Sequence, residues 1–279
     1  MSNLRIVAKN AFDDGSVMQI VGTGVTSLPP TNLQIYNNSK VFRSLSPEHT
    51  VLAGNFNDVE LISACILWRH NLTNAAKIKL ELFGLPNQQG TLIYDSGEID
   101  AVAQITFADW DWRTQPVISG VLDEWDIRFS QLWLEPQFSR SYRLTITDPL
   151  NSNGHIDITR IYMGRHITPK VNFKYGNSWG LGSNEMQFRT DDGSLFSQNA
   201  PRWRQLNFTV ANIPEGDRAG LLGAIRNVGK TKDFFISLYP EVGGQKEAES
   251  SFAGKFTTIP SLTANFYDNY TMPFSIEEC

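Results

Sequence analysis

The stretch Ile62-Ser63-Ala64-Cys65-Ile66-Leu67-Trp68-Arg69-His70-Asn71-Leu72 decides how this chain folds. It reads as a core strand that ends in a turn. Working outward, Lys77-Ile78-Lys79-Leu80-Glu81-Leu82-Phe83 alternates charged and apolar residues, as a strand with one wet face must. Further on, Tyr142, Leu144 and Ile146 point one way, Asp148 to Gly154 turns, and Ile156 and Ile158 restart the inward row. That pattern predicts a hairpin with a long loop. Residues 62–83 and 141–165 are then two halves of one β-sandwich.

Composition agrees with a strand-rich chain. In 279 residues there are 21 Gly and 13 Pro with 11% aromatics, which favours turns and pleated strands over long helices. The length suits one large domain or two ordinary ones, each able to bury a core. A net charge of -5 argues against sequence-independent nucleic-acid binding, which needs surplus Lys and Arg. The opening Met1 to Asn10 has no apolar run of signal-peptide length, and no stretch approaches the length of a membrane span. Folding in a cytoplasm is therefore expected, with Cys65 and Cys279 as free thiols.

Three segments carry a family likeness: the core strand running to Trp68-Arg69-His70-Asn71-Leu72, then Tyr94-Asp95-Ser96-Gly97, and the closing Leu144 to Pro149 and Gly154 to Gly164. Together they resemble the galactose-binding-like jelly rolls in tail proteins of tailed bacteriophages. The resemblance covers the first 165 residues and implies a jelly-roll β-sandwich over 1–165. In such jelly rolls the region after the Tyr-Asp-Ser-Gly segment is a long aromatic insertion.

Arg165 to Lys170 reads as a linker, with Pro169 pushing Thr168 toward an extended conformation. Beyond it, residues 166–279 are expected to form a smaller β domain with one packed helix. Phe173 and Tyr175 alternate, Gly176 to Ser183 reads as a glycine-rich loop around Trp179, and Leu206, Phe208 and Val210 mark a strand. The helix spans 214–228, with Leu221, Leu222, Ile225 and Val228 on one face, Asn212 and Glu215 placed to cap it, and Gly229 as its stop. Phe234 to Tyr239 follow as a strand, Val242 to Glu249 as a polar loop, and Tyr270 to Ile276 as a terminal strand. This layout is similar to the small ring domains of phage distal and minor tail proteins. The fold class expected is mainly β.

Several chemistries can be weighed on their residues. Gly229-Lys230-Thr231 copies the end of a phosphate-binding loop, but it follows a helix and precedes a strand, and a helix C-terminus repels phosphate. Asp148, Asn151, Asn153, Gly154 and Asp157 have the wrong spacing for a helix-loop-helix calcium site and suit backbone-bonding turns. His49, His70, His155 and His166 are scattered without metal-ligand spacing. No catalytic residue, cofactor or metal is expected.

The remaining cluster is aromatic. Asp109, Trp110, Asp111, Trp112 and Trp125 combine rings with carboxylates. Such a set fills a core or a protein interface, or it stacks a sugar ring and accepts its hydroxyl hydrogens. As a glycosidase pair, Asp109 and Asp111 come from one local segment and have Arg113 beside them to keep both ionised.

The expectation is a structural component of a phage tail tip or baseplate in the virion, assembled in the host cytoplasm. Its partners would be tube, tape-measure and hub proteins and further copies in a ring. The alternative is a carbohydrate-binding adhesin module contacting a host-surface glycan.

Overall fold

The computed structural model describes residues 3–105, 110–114, 120–123 and 127–279. In chain order the elements are β1 (Arg5–Val7), β2 (Met18–Val21), β3 (Phe42–Ser44), β4 (Thr50–His70), β5 (Lys77–Phe83), β6 (Leu92–Asp95), β7 (Ile99–Asp100), β8 (Phe129–Thr147) and β9 (Ile156–Gly164). They continue as β10 (Ser178–Ser183), β11 (Met186–Arg189), β12 (Leu195–Gln198), β13 (Arg202–Ile213), α1 (Glu215–Val228), β14 (Phe234–Ser237), α2 (Gly244–Ser250), β15 (Ser251–Thr258), β16 (Thr263–Phe266) and β17 (Asn269–Glu278). The protein is mainly β. Its chain divides into two units, Met1–Ile167 with Phe234–Ser251, and Thr168–Asp233 with Phe252–Cys279. No helix among the described residues is long and apolar enough to cross a membrane.

The first unit is a jelly-roll β-sandwich built around two long strands. β4 has 21 residues and β8 has 19, enough for each to serve both layers. Their pairing slips between Asn55 and Glu60 and again between Ile62 and Ala64, and such bulges bend strands from one layer into the other. In the first layer the register aligns Thr50, Ile146 and Ile78, then Leu52, Leu144 and Leu80, then Gly54, Tyr142 and Leu82. In the second it aligns Cys65 with Met163 and Leu67 with Ile161. Both sets share one core, and each fully buried Leu or Ile there contributes roughly 1.5–3 kcal/mol.

The expected hairpin between residues 141–147 and 156–158 is not formed. β8 and β9 both pair antiparallel with β4 and lie on opposite sides of it. Besides its own turn bonds, the connecting loop is tied to neighbouring connections. Asp148 N donates to Pro47 O at 2.8 Å, and its carboxylate accepts Thr73 N at 2.9 Å and Thr73 Oγ1 at 2.5 Å. These bonds tie the loop to the segments just before and just after β4. The inward rows match the sequence pattern: Tyr142, Leu144, Ile146, Ile156 and Ile158 are all buried.

The other face of the second layer is buried too. Phe235 on β14 packs against Trp68, Phe129, Trp133 and Tyr162, with ring centroids 6.0–6.2 Å apart. This explains why Ile62 to Trp68 is buried throughout instead of alternating. Residues expected as a polar loop contain α2. Glu247 folds back to accept Glu241 N at 2.8 Å and Gly243 N at 2.7 Å and takes the Gln131 amide as well, which closes the helix start and buries the carboxylate.

In the second unit β13 and β17 form the spine. Leu206 faces Ile276, Phe208 faces Phe274 and Val210 faces Met272, and the two Phe rings stack at 4.9 Å. α1 buries Leu221, Ala224, Ile225 and Val228, and Gly229, at φ 57°, ends it with its N–H on Ile225 O at 2.8 Å. Its start departs from the expected cap: Pro214 is the cap residue, and Glu215 N is satisfied by Asp268 Oδ1 at 2.7 Å. Gly176 to Ser183, expected as a loop, is largely strand, since β10 pairs with β13 over six residues.

Candidate functional site

The aromatic segment leaves and rejoins the sandwich at one point. Gln104 and Gly120 form an isolated bridge, and Val121 N donates to Ala103 O at 3.0 Å. The rejoining turn hangs on Asp123. Its carboxylate accepts Gly120 N at 2.8 Å, both contacts of the Asn74 amide at 3.0 and 3.1 Å, and Arg128 Nη2 at 2.9 Å. Arg128 in turn donates through Nη1 to Leu72 O at 3.0 Å. Residues 103–104 and 120–123 therefore meet in a closed, charge-paired base.

Of the five residues singled out by sequence, Trp110, Asp111 and Trp112 are described, while Asp109 and Trp125 lie outside the described residues. Trp110 is half-buried. Trp112 is 71% exposed, with the Arg113 guanidinium 5.3 Å from its ring centroid. Asp111 accepts Arg113 N at 3.0 Å and Thr114 Oγ1 at 3.1 Å, a turn bond that fixes the backbone carrying Trp112. The Arg113–Trp112 contact is a cation–π pair. Asn74 is the residue that sequence reading missed, because it meets Asp123 only through the fold.

Other polar groups are occupied structurally. His70 is buried, and its Nδ1 accepts Leu72 N at 3.2 Å, so the ring proton sits on Nε2 and donates to Ser130 Oγ at 2.7 Å. Burial, helped by Arg128, lowers its pKa to about 3. His166 Nδ1 meets Ser63 Oγ at 2.7 Å, but Ser63 is fully buried and also accepts His166 N, so no nucleophile faces solvent there. In the Asp148 loop, Asn151 Nδ2 reaches the carboxylate at 3.1 Å and Asn153 N bonds Asn151 Oδ1 at 3.1 Å, as local turn residues do. Gly229-Lys230-Thr231 follows the C-terminus of α1, the end unsuited to phosphate.

No protein-family model and no curated protein matches this sequence. Among solved structures, the chain is similar to chitosan-binding module 1 of a chitosanase/glucanase from Paenibacillus sp. IK-5, with a TM-score of 0.39 and 7% identity over 56% of this chain and 99% of that one. It is also similar to the family 32 carbohydrate-binding module of NanJ from C. perfringens in complex with galactose, at 0.37 and 10% over 58% and 98%. A third is the Streptococcus pneumoniae fucose-binding module SpX-3, at 0.36 and 10% over 56% and 98%. At these scores the likeness carries no argument about what this chain binds. That argument rests on its own residues.

Proposed function

We propose that the first unit is a non-catalytic carbohydrate-recognition module, with Trp112 as its platform. One observation carries this reading: a large aromatic ring, 71% exposed, stands on a turn whose backbone Asp111 bonds through Arg113 N. Leaving an indole in water has a cost that a sugar face, packing its C–H groups on the ring, removes. Asp111 is engaged by its own turn and acts as a positioning residue, which suits binding without bond cleavage. Titrating the full chain with neutral mono- and oligosaccharides while following tryptophan fluorescence tests this. No change at millimolar sugar would sink it.

A second reading, a structural component of a phage tail tip, is favoured by a different observation. Large apolar side chains stand exposed on the second unit, among them Tyr175, Phe188, Phe196, Phe266 and Tyr267. Surfaces of that kind mark contacts with other proteins. In a virion the two readings are compatible, with one unit docked to neighbouring tail proteins and the other meeting a host glycan. Antibody labelling of purified particles tests the placement: tail-tip decoration supports it, and label confined to non-particle fractions rejects it.

A further inference from the structure

The second unit ends its sheet on an unprotected edge. β10 reads Ser178-Trp179-Gly180-Leu181-Gly182-Ser183 and pairs on one side with β13. It carries no Lys, Arg, Asp, Glu or Pro, the residues by which edge strands refuse further pairing. Register places Trp179 beside Leu206 and Leu181 beside Arg204, so both continue the row that the unit buries further in. At the edge that row is uncovered, and both side chains are about half exposed.

Directly after β10 comes a two-stranded ribbon on which no layer packs among the described residues. All eight residues of β11 and β12 are exposed. Phe188 stands opposite Phe196 with the rings stacked at 5.8 Å, and Met186 shares their face. An isolated two-stranded ribbon is marginal in water. This one is held in shape by its turn, where Asp192 accepts Ser194 N at 3.0 Å and Arg189 donates to Gly193 O at 2.7 Å, and at its stem by an Arg202–Glu185 ion pair at 2.9 Å. Shape is preorganised while the apolar face stays bare.

We propose that this region docks a second copy of the same chain, β10 pairing antiparallel with β10 about a two-fold axis and each ribbon laying Met186, Phe188 and Phe196 over the partner's uncovered row. Antiparallel pairing of two identical edges is self-complementary, which a two-fold interface demands. The area is sufficient. Five large side chains, each 45–60% exposed, leave roughly 500 Å² per copy at ~150–250 Å² for a whole aromatic side chain. Two copies then bury about 1,000 Å² before the backbone is counted, the size at which a specific interface holds. This inference does not depend on the glycan reading, since every residue in it belongs to the second unit.

Sedimentation equilibrium on the full chain tests it, with Leu181→Lys to charge the edge and Phe188→Ser to strip the ribbon. Both positions are exposed, and an unchanged circular dichroism spectrum verifies the fold. The native chain is expected to dimerise below about 100 µM, with each variant at least about tenfold weaker. A native monomer at about 100 µM overturns the proposal, and so does association as strong in Leu181→Lys as in the native chain. Glycan binding is unchanged by either outcome.

Discussion

Arg160 and Asp13 form a two-pronged ion pair, Nη1 to Oδ1 at 2.6 Å and Nη2 to Oδ2 at 2.7 Å, joining β9 to a segment 147 residues earlier. The Arg160 side chain is 3% exposed, so its charge has been taken out of water and depends on this partner. Asp13→Ala should destabilise the first unit by about 3 kcal/mol, because it leaves a buried charge uncompensated. Adding Arg160→Met should recover part of that loss. Urea denaturation of the two variants checks the order, and a double variant less stable than Asp13→Ala would contradict it.

Phe235 is the second anchor. Its ring meets four aromatic rings of the first unit, and truncation leaves a cavity that rigid strands cannot close. Phe235→Ala should cost about 3–5 kcal/mol. A loss below about 1 kcal/mol, read by thermal or urea melting, would show that residues 234–251 are not part of that core.

His70 makes stability depend on pH. Unfolded, it takes a proton near 6.5, whereas burial and Arg128 hold the folded group to about 3. Between those values the unfolded chain binds more protons, so stability is complete above 6.5 and is lost as pH falls toward 3. One such group accounts for about 2 kcal/mol between pH 7.5 and pH 5. His166, also lowered chiefly by burial, adds in the same direction. Urea midpoints of the native chain and His70→Gln at the two pH values should show the flatter profile in the variant. Identical slopes would rule His70 out.

Much of the fold was legible because it follows periodicity. The alternation in Lys77 to Phe83 and the inward row at Tyr142, Leu144 and Ile146 depend only on which residues face a core. The helix ending at Gly229 was legible for the same reason. Strand order was not, because Asp148 bonding Thr73 and Pro47 is a tertiary event that no local pattern announces. α2 was hidden by its polar residues, since Glu247 is buried only once Gln131 and two backbone N–H groups reach it. At the candidate site Trp112 could be named from sequence, but its exposure and its contact with Arg113 could not.

Recognition through Trp112 is the central claim, and calorimetric titration of a responding sugar into native protein and Trp112→Ala tests it most directly. The ring is exposed, so the variant should melt within about 0.5 kcal/mol of the native chain. Its affinity for the sugar should fall at least about tenfold, or 1.4 kcal/mol. Equal affinity in the two proteins would contradict the account.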